Sequence, residues 1–225
     1  MSRIPEDIVV AVDGPSGSGK SSTSRGVAVR LGLRYLDTGA MFRAMTWWML
    51  RQGVDVHDAD AVAARVDEPE ILSGTDPTGP SIIVDGTDVG LAIRTDEVNG
   101  AVSPVSAVPA VRQRLLELQR SVIDAGGIVV EGRDIGSVVA PDAAVKVYLT
   151  ADPEARALRR AAEEGGTDVA ATQQSLLARD KIDSGRTTAP LVMADGAAHI
   201  DTTAYTLDEV IDQVVALVEA VGESA

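Results

Sequence analysis

Residues 12–22 read VDGPSGSGKSS, and Gly14-Pro15-Ser16-Gly17-Ser18-Gly19-Lys20-Ser21 satisfies every fixed position of the pattern G-x-x-x-x-G-K-[ST]. A loop of this composition works only between a strand and a helix. Its bare backbone N–H groups wrap an anion, and the helix that follows directs its N-terminal dipole and free N–H groups at the same charge. Both neighbours are legible. Residues 8–13, IVVAVD, form an apolar run bounded by turn signals, as a buried strand would, and residues 20–31, KSSTSRGVAVRL, read as a helix stopped by Gly32. A chance glycine-rich turn is the bland alternative, and it does not account for that context. The expected ligand is a nucleoside triphosphate, ATP in the simplest case, held by residues 14–19 with Lys20, Ser21 and Ser22. Lys20 can reach the β and γ phosphates, and the Ser21 hydroxyl can ligate Mg²⁺.

The rest of the chain alternates strand and helix signals. RYL (34–36), GIVVEGRD (127–134), AAVKVYL (143–149) and HIDTT (199–203) read as strands, and helices are expected over 40–51, 108–125, 153–164, 168–182 and 207–221. Met41, Met45, Trp48 and Met49 share one helical face and are read as core. This alternation predicts an α/β fold, a three-layer sandwich with a central parallel sheet that binds ligand at the carboxyl ends of its strands. From 65 to 105 the texture changes to Gly, Pro and Asp with two short alternating runs, SIIVDG and DVGLAI. These are expected to pair as a hairpin in a small inserted α+β subdomain. The expected division is a core of residues 1–64 and 106–225 around an insert of 65–105.

The formal net charge is −14 over 225 residues, which argues against nucleic-acid or anionic-membrane partners but not against a small anion in a locally positive pocket. Of 20 basic residues 17 are Arg and 3 are Lys. Codon bias explains that as well as function does, unless the positions of the arginines are special. Without cysteine there are no disulfides or thiolate metal sites. With neither a secretory signal nor an 18-residue apolar run, a cytoplasmic protein is expected. His57 and His199 stand apart in sequence and are read as surface or packing residues.

The positions are special. A guanine-nucleotide switch would carry an N-K-x-D motif, which is absent, and a motor ATPase needs a larger chain. A small-molecule kinase needs a second anionic site facing the loop, with cations able to close over the moving phosphoryl group. YLDTGAMFR (35–43), EGRDIG (131–136) and ARDKIDSGR (178–186) each place arginines where a strand or helix ends.

Those segments, together with VDGPSGSGKSS, DVGLAIRT, VSPVSAVPAVR and the continuation TTAPL, occur in an order that resembles the bacterial cytidylate kinases over about residues 8–205. The resemblance implies transfer of the γ-phosphate of ATP to CMP or dCMP, with Mg²⁺, by a monomer. Carried over by position, it implies that Thr38 lines the acceptor site and that Arg43, Arg133 and Arg186 hold the CMP phosphate. Ser103, Arg112 and Asp134 then read the cytosine edge, and Arg179 and Asp183 contact ribose. It places a lid at about 153–168, with Arg156, Arg159 and Arg160 as closing cations and Arg159 grouped with Lys20, Arg133 and Asp134 as catalytic. A kinase for another nucleoside monophosphate or small acceptor, or a nucleotide-binding module without an acceptor, stays open at this point.

Overall fold

The computed structural model describes residues 4–163, 166, 168–185 and 190–224. The chain runs through β1 (Val9–Asp13), α1 (Lys20–Leu31), β2 (Arg34–Asp37), α2 (Thr38–Arg51), α3 (Ala59–Ala63), β3 (Ile71–Ser73), β4 (Ile82–Val84) and β5 (Thr87–Asp88). It continues through α4 (Asp96–Ala107), α5 (Pro109–Ile123), β6 (Ile128–Gly132), β7 (Val145–Thr150), α6 (Pro153–Glu163), α7 (Val169–Ser184), β8 (Ala198–Asp201) and α8 (Leu207–Ser224). Five strands form a parallel sheet in the order β2-β6-β1-β7-β8.

β1 lies at the centre because its residues suit burial on both faces. Val10 and Val12 face α1 and α8, packing with Val27, Ala28, Val214 and Val218. Ala11 faces the other way, toward α2 and α5, with Leu36, Met41, Met45, Val111 and Leu115. The methionine stripe of α2 is buried as its spacing predicts. α1 and α8 approach closely at Gly26, where a Cβ would lie 2.2 Å from Ile211 Cδ1.

The 65–105 segment departs from its expected form. Its small antiparallel sheet has three strands, β3-β4-β5. DVGLAI is not a strand: pairing ends at Asp88, whose carboxylate accepts from the Gly90 N–H at 2.8 Å, and Ala92–Arg94 coils into a 3₁₀ turn. Helix α4 then starts under a Thr95 cap. Gly100, Ser103 and Pro104 conceal that helix in the sequence, since each is a poor former of helix interiors. Ile71, Ile82, Val84, Val89 and Ile93 pack with Met41, Met45 and Met49, so the small sheet shares the apolar core of α2. α2 itself opens two residues earlier than expected, because Asp37 caps it by accepting from the Ala40 N–H at 2.9 Å. Among the described residues no helix is long and apolar enough to cross a membrane.

Candidate active site

The sequence after β1 forms a loop that wraps the start of α1. Gly14 has φ 146°, and a Cβ there would lie 2.0 Å from the Leu149 carbonyl oxygen, so no other residue fits. Gly19 takes φ 88° at the N-cap of α1, and no side chain caps that helix. Its first N–H groups therefore face the loop ready for an anion. Lys20 folds across the loop and donates to the Pro15 carbonyl at 2.7 Å. Burial first, then the Arg133 guanidinium, lowers its pKa from the ordinary lysine value of 10.5, while Glu131 and Asp13 oppose that shift.

Beside the loop, β6 ends in a buried carboxylate. Glu131 Oε2 accepts from the Ser21 hydroxyl at 3.0 Å, and Oε1 accepts from the Tyr35 hydroxyl. Burial first, then neighbouring Asp37, raises the Glu131 pKa. Ser21 and Glu131 together offer hard oxygen donors on the phosphate side of the loop. Among the described residues no three acidic, His or Cys side chains gather into a metal cage. The donor set suits Mg²⁺, which is usually held by one or two carboxylates and by phosphate oxygens and water.

Across the cleft the arginines converge. Arg43, Arg94, Arg133, Arg160 and Arg179 line, with Lys20 and Ser21, one cleft of about 900 Å³. Burial and mutual repulsion both act against their charge. Burial lowers the Arg43 pKa, Asp37 opposes, and Arg94, Arg133 and Arg160 lower it further. Arg179 is pushed down to about 9, by burial and then by Arg43 and Arg133. Among the described residues, buried Arg179 Nε has no hydrogen-bond partner. An anion among its forks would stabilise such a cluster. Arg133 Nε donates to Asp183 Oδ2 at 3.0 Å, which fixes one fork from α7.

Deeper in the cleft, Arg112 on α5 forms a buried ion pair with Asp134, just past β6, and donates from its other arm to the Ser106 carbonyl at 3.3 Å. Phe42 lies under its guanidinium at 5.3 Å. Ser103 lines the same end of the cleft. Thr38 also lines the cleft, and its hydroxyl donates to the Glu131 carbonyl at 2.7 Å. The cleft thus holds an acceptor–donor pair for a planar polar ligand next to a phosphate-sized cationic cluster.

The three lid arginines have different partners. Arg156 is buried under the loop, donating to the Ser16 carbonyl at 3.0 Å and to Asp180. Arg159, expected among the catalytic groups, turns instead to Thr202, donating to its Oγ1 at 2.9 Å and its carbonyl at 2.7 Å. Arg160, one helical turn after Arg156, is the one that lines the cleft. Arg186 and lid residues 164, 165 and 167 lie outside the described residues.

Sequence reasoning overlooked Arg94, Glu131 and Asp13. A single signal marks the last two: a carboxylate at the end of an otherwise apolar strand. Asp13 is buried, and its two oxygens each accept a backbone N–H, from Ile135 and Gly136, both at 2.8 Å. Burial raises its pKa to about 6 against those two bonds.

A phosphate-wrapping loop on a parallel sheet, facing a cationic acceptor cleft in the same chain, defines a P-loop kinase for a small anionic acceptor. Comparison with known proteins narrows this. The family model described as Cytidylate kinase matches residues 10–220. A cytidylate kinase of Streptomyces avermitilis is 59% identical over 214 residues, 94% of this chain and 93% of that protein. One of Mycobacterium leprae is 50% identical over 218 residues, 95% of this chain and 96% of that protein. The chain belongs to the cytidylate kinase family. A crystal structure of an uncharacterized protein from Eubacterium ventriosum shares the fold, with a TM-score of 0.53 at 12% identity over 95% of this chain and 99% of that one.

Proposed function

We propose that this ATP-dependent kinase transfers the γ-phosphate of ATP to CMP or dCMP, giving CDP or dCDP and ADP. The observation that carries this reading is the buried Arg112–Asp134 pair at the end of a cleft whose other wall is a guanidinium cluster. Cytosine presents an N4 amino donor beside an N3 acceptor. Asp134 accepts from N4, and Ser103 or Arg112 donates to the ring's acceptor side. Uracil reverses both groups and leaves the pocket unpaired, which is costly where water is excluded.

The loop backbone, Lys20 and Ser22 hold the phosphates of ATP. Ser21 and Glu131 would hold Mg²⁺, which when bound neutralises charge on the β and γ phosphates. Arg43 and Arg133, joined by Arg94 and by Arg186, hold the CMP phosphate, while Arg179 and Asp183 hold ribose. An oxygen of the CMP phosphate attacks the γ-phosphorus, and the bond to the β–γ bridging oxygen breaks. Its electrons leave on ADP, where Lys20 meets the new charge. The attacking oxygen is already ionised near neutral pH, so no general base is required. The 153–168 segment closes over the site with Arg160 as its cation on the cleft side, and Arg159 anchors that segment to Thr202. Residues 65–105 form the acceptor-side subdomain. The cysteine-free composition supports a reducing compartment such as the cytoplasm, and two complementary pockets on one chain support a monomer.

ADP release measured against CMP, dCMP, UMP and AMP tests the reading. Release that follows CMP or dCMP well above UMP and AMP supports it. Equal release with every acceptor, or release that ignores the acceptor, overturns it.

A further inference from the structure

Asp134 occupies an unusual position for its task. It is the N-cap of the short helical turn Ile135–Val139, yet its side chain makes no capping bond. An aspartate at an N-cap ordinarily turns its carboxylate back onto the N–H groups of the next residues. Here that carboxylate points away, to Arg112. Of the N–H groups that such a cap serves, here on Gly136 and Ser137, the first is taken by Asp13 at 2.8 Å, and Asp13 also accepts from the Ile135 N–H at 2.8 Å. Asp13 comes from a different part of the chain. It ends β1 opposite Gly132 of β6, one residue before the phosphate loop begins.

We propose that Asp13 is a positioning residue for acceptor specificity: by capping the 135–139 turn from β1, it frees the Asp134 carboxylate to face the acceptor base. Two further features fit. The Asp13 carboxylate is negative where Asp134 would otherwise swing, and like charges keep the two side chains apart. Gly136 also lets the turn pack closely, since a Cβ there would lie 3.1 Å from Ala194 Cβ and 3.3 Å from Lys146 Cδ. The same strand that carries the donor loop thus sets the groups that read the acceptor.

The inference rests on the proposed CMP reading, and the test separates the two. Asp13→Asn keeps the shape but offers one acceptor oxygen for two N–H groups, so Asp134 turns back to cap the second. The ratio of kcat/KM for CMP to that for UMP should fall about tenfold, the scale of one lost hydrogen bond. In a double-mutant cycle with Asp134→Asn the two losses should overlap rather than multiply, because both remove the same contact. A purely structural role predicts lower thermal stability and equal losses for both acceptors. An unchanged ratio, or losses that multiply in full, overturns the inference while leaving the CMP reading intact. A wild-type enzyme with no preference for CMP overturns both. Should Asp13→Asn yield no folded protein, amide hydrogen exchange in the wild type decides: slow exchange at Ile135 and Gly136 supports the cap, and exchange at the rate of open loops rejects it.

Discussion

Lys20 carries opposite demands. Its burial and the nearby Arg133 make its charge costly, and triphosphate makes the same charge necessary. Replacing it by alanine removes a penalised buried charge, so Lys20→Ala should unfold at a temperature no lower than wild type by more than a few degrees. Turnover should fall by roughly 100- to 1,000-fold, the cost of one lost electrostatic contact in a phosphoryl or acyl transfer site. Steady-state kinetics and thermal unfolding of the same sample check both halves. A pH effect follows with a definite sign. Free Lys20 loses its proton below the ordinary lysine value of 10.5, and bound phosphates raise that value again. Between the two values ATP binding takes up a proton, and affinity should fall as pH rises through that window. Calorimetry in two buffers of different ionisation enthalpy reads the proton directly, and identical heats in both would contradict the assignment.

Among the elements, the phosphate loop is the most constrained. Gly14→Ala would place a Cβ 2.0 Å from the Leu149 carbonyl, at φ 146°. β7 must then move, with a stability loss of about 1–3 kcal/mol in urea unfolding and weakened ATP binding. That constraint is why the loop could be read from composition: its chemistry permits few residues. The parallel core strands were legible for the same kind of reason, as apolar runs between turn signals. Helix α4 was not, because Gly100, Ser103 and Pro104 fit a loop as well as a helix held by packing on α2. DVGLAI looked like a strand because Val89, Leu91 and Ile93 alternate. Val89 and Ile93 are buried, but Leu91 is 90% exposed, so the alternation serves a turn rather than a ladder. Glu131 and Asp13 each carry a sequence mark, a carboxylate closing an apolar strand, but their meeting at the loop was not legible. Strand register alone sets Val12 beside Glu131 and Asp13 beside Gly132, and so brings both carboxylates to the loop. Arg160 could not be separated from Arg156 and Arg159 without knowing which side of α6 faces the cleft.

The protein as a body is acidic, at −14, and yet among the described residues its cleft is lined by seven arginines and a lysine. The bulk charge offers polyanions no general attraction, while the local cluster suits a small anion. Both anion sites lie at the carboxyl end of one sheet: β1 leads into the loop, β6 carries Glu131 with Arg133 and Asp134 just past it, and α2, α5 and α7 bring Arg43, Arg112 and Arg179 to face them. A crystal structure with a non-hydrolysable ATP analogue and CMP bound together measures this arrangement. The account predicts CMP phosphate oxygens within hydrogen-bond distance of Arg43 and Arg133, the cytosine amino group on Asp134, and the γ-phosphate between Lys20 and the CMP phosphate. A CMP phosphate seated away from those arginines, or turned from the loop, would contradict it.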